Sequence, residues 1–395
     1  MKNEEWREIK LKYLVELRNE KVKNEELNKY NLKIALENIE SYTGRLININ
    51  SDTSFEGEGR FFYPNDVLFN KLRPYLSKFY IADKKGICFG ELLIFIPNTK
   101  LLIPRFLYFL ISSYKFIHHV DGSTYGSKMP RASWDSFISN YSFFIPSLFI
   151  QKNIANFLDR KTAQIDSLLS KKTKLISLLQ EEEKAFINEK LTDKNGSWEK
   201  KKLKYVAKVQ TGGTPKIQGA NFDCFENGTV NWFTPADFKE GGILDNSKRK
   251  INQKAIEQVE IFPENSVYLV SIGATLGKVG ISLKKGSANQ QINIITFNES
   301  KVYSQFGYYL FKSNTEYIIN EADHTTLAIL NQSKTKELEF PIPSLSIQKN
   351  LVEEIESHIN QSRATVHKLE QEVALLKEYR QSLISEVVLG VKNVE

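Results

Sequence analysis

The sequence predicts an α+β chain in which two mixed α/β modules form a pseudo-twofold repeat, separated by two long antiparallel coiled-coil helices. Three observations carry this reading. The segment Ile145-Pro-Ser-Leu-Phe-Ile-Gln-Lys-Asn153 returns 197 residues later as Ile342-Pro-Ser-Leu-Ser-Ile-Gln-Lys-Asn350, with one mismatch in nine. After each copy Pro and Gly vanish and helix formers run on to Gly196 or Gly390. Before each copy the chain is rich in Gly, Pro, Asn, aromatics and short apolar runs that read as strands.

Residues 1–147 form the first expected module. Its landmarks recur in order. Trp6-x4-Leu11-Lys-Tyr13 matches Trp198-x4-Leu203-Lys-Tyr205, and Leu76-x-Lys78 with Lys84-Lys-Gly86 matches Leu276-x-Lys278 with Lys284-Lys-Gly286. Tyr108-Phe-Leu110 matches Tyr308-Tyr-Leu310. The offset drifts from 192 to 200 and returns to 197, so insertions fall in the middle of each half. Variable middles on fixed ends point to specificity on a common frame. The second module is expected at 195–341, with Asp66-Val-Leu-Phe69 and Ser266-Val-Tyr-Leu-Val270 as typical strand runs.

The helical spacers are expected at 148–194 and 342–395. In the second, Ile359, Val366, Val373 and Val387 alternate with Leu369, Leu376 and Leu383 at heptad spacing, with Ser362 and Arg380 as exceptions. The same register in the first collects Ile165, Leu169, Ile176, Leu179 and Phe186, interrupted by Lys172 and Glu183. A 40-residue helix would be about 60 Å long, and its narrow apolar seam needs a partner. The other copy is the natural one, although packing of each helix on its own module is the commoner fate of an amphipathic helix.

Composition narrows the function classes. The 395 residues are 41% hydrophobic and 26% charged, which excludes disorder. A net charge of +7 permits a polyanionic partner without requiring one. Cys88 and Cys224 stand alone, so neither a disulfide framework nor a zinc spacing is present, and a reducing cytoplasm fits best. The stretch Glu91 to Ile117 is broken by Pro97, Asn98, Lys100, Pro104 and Arg105, so no membrane span is expected, and the N-terminus has neither signal-peptide nor transit-peptide character.

Catalytic patterns fail when spelled out. Gly273-Ala-Thr-Leu-Gly277-Lys278-Val279 is one residue short of a phosphate-binding loop and lacks its hydroxyl; the first repeat has Arg73, Pro74 and Ser77 there, so the shared feature is a basic turn. Asp237-x-Lys239 has no partner carboxylate of a nuclease site, and His118, His119, His324, His358 and His367 lack metal spacing. Hydrolase, zinc-peptidase, dinucleotide and amino-methyltransferase signatures are missing. No catalytic or metal residue is expected.

Recognition chemistry remains. Base reading needs Arg or Lys for guanine and Asn or Gln for adenine, with further cations on the backbone. In the first module the DNA-binding candidates are Lys71, Arg73, Lys78, Tyr125, Lys128 and Arg131. In the second they are Thr211, Thr214, Lys216, Thr275, Lys278, Asn289 and Gln290. Of these, Lys71, Lys78, Lys216 and Lys278 are assigned to phosphates, and Arg73, Lys128, Arg131, Thr214, Asn289 and Gln290 to bases. Trp134 and Trp232 are read as core or module-edge aromatics.

The sequence resembles the specificity subunit of type I restriction-modification systems. The match rests on Ile145-Pro-Ser-Leu with Gln151-Lys152, Phe157-Leu158-Asp159 and Ile165-Asp166, and on the second copy from Ile342 through Leu383-Ile384-Ser385-Glu386 to Gly390. Thr211-Gly-Gly-Thr-Pro215 and Trp232-x-Thr-Pro235-x-Asp237 resemble the opening of that family's target-recognition domains. The resemblance implies two target-recognition domains, each reading half of a split site in double-stranded DNA. It also implies helices that act as a ruler and dock modification (methyltransferase) subunits, alongside restriction (translocase/endonuclease) subunits. On it the chain itself catalyses nothing and binds no cofactor; S-adenosylmethionine, ATP and Mg belong to the partners. The partner-docking or coiled-coil set is then Gln151, Leu158, Ile165, Leu169, Ile176, Leu179, Gln348, Ile355, Val366, Leu369, Val373, Leu376 and Leu383. The rival from another class is a non-enzymatic scaffold for protein partners, without DNA sequence preference.

Overall fold

The computed structural model describes residues 6–23, 29–49, 58–216, 223–239, 241–324 and 327–392. It divides into two units: 1–174 with 369–395, and 175–368. Each unit holds one module and a stretch of both long helices.

The first module is built on a four-stranded antiparallel sheet of β1 (Val15–Leu17), β2 (Val67–Asn70), β3 (Phe79–Ile81) and β4 (Leu92–Pro97), in the order β1-β4-β2-β3. Side chains alternate across a strand, so one run serves two cores. Val67, Phe69, Leu93 and Phe95 enter the larger core with α1 (Pro104–Ser112) and α2 (Tyr114–Gly122), while Leu68, Leu92 and Ile94 enter a second one. This explains why β2 is apolar at consecutive positions and buried throughout. Pro104 starts α1, where a missing N–H costs nothing. Against the second core lies a three-stranded sheet of Lys33–Ile34, Gly86–Cys88 and Arg60–Phe62. Arg7–Lys10 pairs with Ser142–Ile145 and closes the module.

The first long helix, α3 (Leu148–Lys190), begins at the leucine of the Ile-Pro-Ser-Leu segment and stops before Gly196. The second module repeats the plan. Its sheet contains β5 (Ala207–Thr211), β6 (Ser266–Val270), β7 (Val279–Ser282) and β8 (Ile292–Phe297), in the corresponding order β5-β8-β6-β7. Again Val267, Leu269 and Ile295 face one core and Tyr268, Val270 and Ile294 another. Here α4 (Ser304–Ser313) and α5 (Thr315–Asn320) replace α1 and α2. The smaller sheet differs: its third strand, Arg249–Ile251, pairs with Val230–Phe233, whereas in the first module Arg60–Phe62 pairs with Gly86–Cys88. Glu199–Lys202 pairs with Glu339–Ile342, and α6 (Leu345–Val388) follows.

Each module core is completed by both helices. In the first unit Ile154, Leu158 and Ile165 of α3 share a core with Leu383, Ile384, Val387 and Val388 of α6. In the second unit Ile187 of α3 joins Val352, Ile355 and Ile359 of α6. Fully burying one such side chain is worth about 1.5–3 kcal/mol, so these helix ends are integral to the modules. Within each unit the two helices run antiparallel. Asp166 meets Arg380 and Lys172 meets Glu372 in the first, and Glu182 meets His358 and Lys190 meets Glu354 in the second.

Three of the four breaks in the apolar seam, all but Ser362, are thereby explained. Lys172 and Arg380 form cross-helix ion pairs, and Glu183 lies 3.4 Å from Lys312 and 3.9 Å from Arg363. The apolar seam itself shows Leu369 buried, Ile176, Leu179, Val366 and Val373 half-buried, and Leu169 and Leu376 packed against the first core. Phe186 stacks on His358 with ring centroids 4.0 Å apart.

Candidate nucleic-acid interface

The strand ends determine which loops meet. In the first module the β2–β3 turn, the turn into β4 and the 125–131 loop leave the same end of the sheet. Lys71 N–H donates to Glu91 O (3.2 Å), Arg73 N–H to Pro130 O (2.7 Å) and Ala132 N–H to Lys71 O (2.9 Å). These bonds gather Lys71, Arg73, Tyr125, Lys128 and Arg131 from two segments about 60 residues apart in sequence. Lys128 and Tyr125 are exposed, and Arg73 extends a guanidinium nitrogen to the Lys128 carbonyl (3.3 Å).

The β2–β3 turn is left-handed at both Arg73 (φ 52°) and Ser77 (φ 49°). In the second module the same two positions are Gly273 (φ 100°) and Gly277 (φ 91°), which accept this conformation without the steric cost a Cβ brings. The glycines that resemble a phosphate loop therefore serve the turn. A non-glycine residue held there signals a constraint that the surrounding structure sustains, and it presents Arg73 at the loop tip.

The second module assembles a matching end. Gly212 N–H donates to Ile292 O (2.9 Å), Gly213 N–H to Ala288 O (2.8 Å) and Ser271 N–H to Gln291 O (2.8 Å). A Cβ on Gly212 would stand 2.4 Å from the carbonyl oxygens of Ala288 and Asn289, so only glycine fits. The 211–216 turn is thus pressed onto 288–291, where Thr214 Oγ1 donates to Gln290 Oε1 (2.7 Å) and Asn289 Nδ2 to Gln291 Oε1 (3.0 Å). Lys216 and Lys278 are exposed, Thr275 is half-buried at the tip of its turn, and Thr211 Oγ1 donates to Asn293 Oδ1 (2.7 Å).

Several candidates are engaged inside the modules. Lys78 Nζ donates to Leu36 O at 2.6 Å, and burial lowers its pKa. Lys71 is half-buried and paired with Glu91 at 3.1 Å. The partner-docking or coiled-coil set does need correction. Gln151 and Gln348 belong neither to the helix seam nor to a docking surface, being fully buried. The Oε1 of Gln151 accepts from Ile103 N–H (2.9 Å), and its amide donates to Leu101 O and Pro146 O (both 2.9 Å). Gln348 repeats the set with Tyr303 N–H (2.8 Å), Lys301 O (3.0 Å) and Pro343 O (2.8 Å). The repeated glutamine therefore locks each helix start to its own module. Leu158 and Ile355, fully buried, likewise serve the module cores rather than a partner.

Other residues resolve plainly. Trp232 Nε1 donates to Gly213 O (2.9 Å), and Trp134 packs on Phe95. Asp237 accepts from Thr234 N–H (2.8 Å) and Lys248 N–H (2.8 Å), a turn cap. Among the described residues no cluster of three His, Cys, Asp or Glu side chains could hold a metal ion, and no helix is long and apolar enough to cross a membrane. Sequence reading missed Glu91, whose carboxylate lies 3.1 Å from both Lys71 Nζ and Arg131 Nε. Burial raises its pKa, but the two cations outweigh burial and the net shift is downward.

Two copies of one α/β module, each raising a polar loop cluster from the same sheet end and each stapled by the same buried glutamine, define a duplicated recognition scaffold on paired helices. The chain belongs to the type I restriction modification DNA specificity domain family, whose model matches residues 3–177 and again 195–375. It is 26% identical over 250 residues to the EcoR124I/EcoR124II specificity subunit of Escherichia coli, covering 60% of either chain. It is 29% identical over 161 residues to the EcoprrI specificity subunit of Escherichia coli, covering 38% of this chain and 39% of that one. The matches therefore span less than two thirds of these relatives. Among solved structures, a chain from a study of complex assembly and conformational transition in the type I system aligns over 98% of both chains, with TM-score 0.78 and 16% identity. The HsdS subunit from Thermoanaerobacter tengcongensis aligns over 98% and 97%, with TM-score 0.57 and 16% identity. These two establish the fold.

Proposed function

We propose that this chain is the DNA sequence-specificity subunit of a type I restriction-modification complex. Each module reads one half of a bipartite site through its loop cluster, and the helices set the gap and dock the modification subunits. Methylation and ATP-driven translocation and cleavage belong to partner subunits carrying S-adenosylmethionine, ATP and Mg, while this chain contributes no catalytic group. The setting is cytoplasmic.

One observation carries the reading. The loop clusters occupy corresponding ends of corresponding sheets, yet their side chains differ: Lys71, Arg73, Lys128 and Arg131 in one, Thr214, Lys216, Lys278, Asn289 and Gln290 in the other. A shared frame with unlike polar tips is what two different half-sites require, since exposed polar loops position on phosphates and discriminate at base edges.

The test is genome-wide mapping of methylated adenines with and without this gene. Loss of methylation at one bipartite motif is the expected result. An unchanged map in a strain expressing the whole complex would instead favour a protein-binding scaffold.

A further inference from the structure

We propose that Glu91 is a specificity-determining positioning residue that holds Arg131 so that the guanidinium meets a guanine in the half-site read by the first module. The inference rests on the DNA-reading function above and deepens it.

Glu91 ties three loop segments together. Its carbonyl accepts from Lys71 N–H (3.2 Å), its Oε2 pairs with Lys71 Nζ (3.1 Å) and its Oε1 accepts from Arg131 Nε (3.1 Å). The Arg131 backbone is fixed separately, exchanging hydrogen bonds with Tyr125 at 3.1 and 3.0 Å and bridging to Leu72. Both ends of the arginine are therefore constrained. With Nε engaged, the two terminal nitrogens meet no partner among the described residues, and the side chain remains 39% exposed.

A free arginine spends rotamer entropy when it binds, whereas one already braced by a carboxylate loses less for each hydrogen bond formed. A paired donor set on a fixed guanidinium matches the O6 and N7 acceptors of guanine. Glu91 also cancels one positive charge in the cluster, so the site attracts the DNA backbone less and depends more on the base. Stability alone gives little reason for the arrangement, since partly exposed ion pairs contribute little.

The second module provides an internal comparison. Ser271 N–H to Gln291 O (2.8 Å) and Leu330 N–H to Ser271 O (2.8 Å) reproduce the bonds of Lys71 to Glu91 and Ala132 to Lys71. Positions 71, 91 and 131 thus correspond to Ser271, Gln291 and Ile329, an uncharged set on the same backbone. At these described positions the second module has no such fork.

The test uses the complete complex carrying wild-type chain, Glu91→Gln, Glu91→Asp, Arg131→Ala or Arg131→Lys, with adenine methylation mapped in cells and binding of the purified complex measured on duplexes varied at each position. The wild type should require a guanine at one position of the first module's half-site. Arg131→Ala and Glu91→Gln should each relax that position by about tenfold or more, leaving the other half-site and the gap unchanged. Glu91→Gln should at the same time bind non-specific DNA at least as tightly as wild type, because Lys71 is released, and Glu91→Asp should restore part of the discrimination. Wild-type strictness at that position in Glu91→Gln or in Arg131→Ala, or a uniform loss at every position in complexes that assemble normally, would overturn the proposal while leaving the DNA-reading function intact. A wild-type complex without any bipartite preference would overturn both.

Discussion

Arg380 of α6 and Asp166 of α3 form a buried two-point ion pair, Nε to Oδ1 at 2.8 Å and Nη2 to Oδ2 at 3.4 Å, with side chains only 6% and 9% exposed. Arg380 also donates to the Tyr42 carbonyl (2.9 Å), and Arg45 reaches the same carboxylate at 2.9 Å. The pair therefore joins both helices to a module loop. Removing Asp166 leaves the buried Arg380 charge with only the Tyr42 carbonyl as partner, which costs about 3–5 kcal/mol. Asp166→Ala should lower Tm by about 6 °C or more, whereas Asp166→Leu with Arg380→Met should recover most of that loss because matched apolar replacement removes both desolvation costs. A melting curve of Asp166→Ala that overlays wild type would show the pair to be energetically neutral.

The glutamine staples give a second, independent test. Gln151→Ala strands Ile103 N–H and the carbonyls of Leu101 and Pro146, and Gln348→Ala does the same to Tyr303 N–H and the carbonyls of Lys301 and Pro343. Each orphaned buried group costs about 1–3 kcal/mol, with some relief where water enters. The two substitutions share no bonding partner, so their effects should add. Urea unfolding of the single and double variants checks this, and strong non-additivity would contradict independent staples.

Much of this architecture was legible because it is written locally. The helix starts at Leu148 and Leu345 follow from the repeated Ile-Pro-Ser-Leu, and the strand runs at 67–70 and 266–270 follow from apolar density. What stayed hidden depends on contacts far apart in the chain. Arg380 reads as a flaw in a heptad until Asp166, 214 residues away, is seen beside it. Gln151 sits in the repeated segment and so looked like part of a partner or coiled-coil surface, yet besides the nearby Pro146 carbonyl its bonds go to the Leu101 carbonyl and the Ile103 N–H some 50 residues earlier. Glu91 is a lone acid before an apolar strand, with no spacing that announces Lys71 and Arg131 around it. The loop candidates could be picked out as a set, since basic and amide residues on breaker-rich turns are visible in sequence. Which of them are spent inside the module was not.

Lys78 and Lys278 make that last distinction measurable. They hold corresponding places in the two modules, but Lys78 Nζ is bonded to Leu36 O whereas Lys278 is exposed. Each phosphate contact contributes about 0.9 to the slope of log K against log salt. In the assembled complex Lys278→Ala should reduce that slope by about one and weaken all sequences alike. Lys78→Ala should leave the slope unchanged and lower stability instead. A slope that falls equally for both would mean that Lys78 leaves its internal bond on binding DNA.

The ruler role of the helices can be tested at 174/175 and 368/369, where the chain passes between its two compact units. Inserting one heptad at each point keeps the seam in phase, because seven residues return the apolar positions to the same face. Seven residues add about 10 Å of helix, roughly three base pairs of DNA. The methylated motif should then keep both half-sites and lengthen its gap by about three. Three base pairs also rotate the duplex by roughly 100°, so the second half-site arrives on a different face and methylation should weaken even where the new spacing is met. A heptad inserted into one helix alone has no matching length to pair with and should abolish methylation without altering the half-sites read by any residual activity. If the double insertion instead changed a half-site and kept the gap, the helices would not be setting the distance.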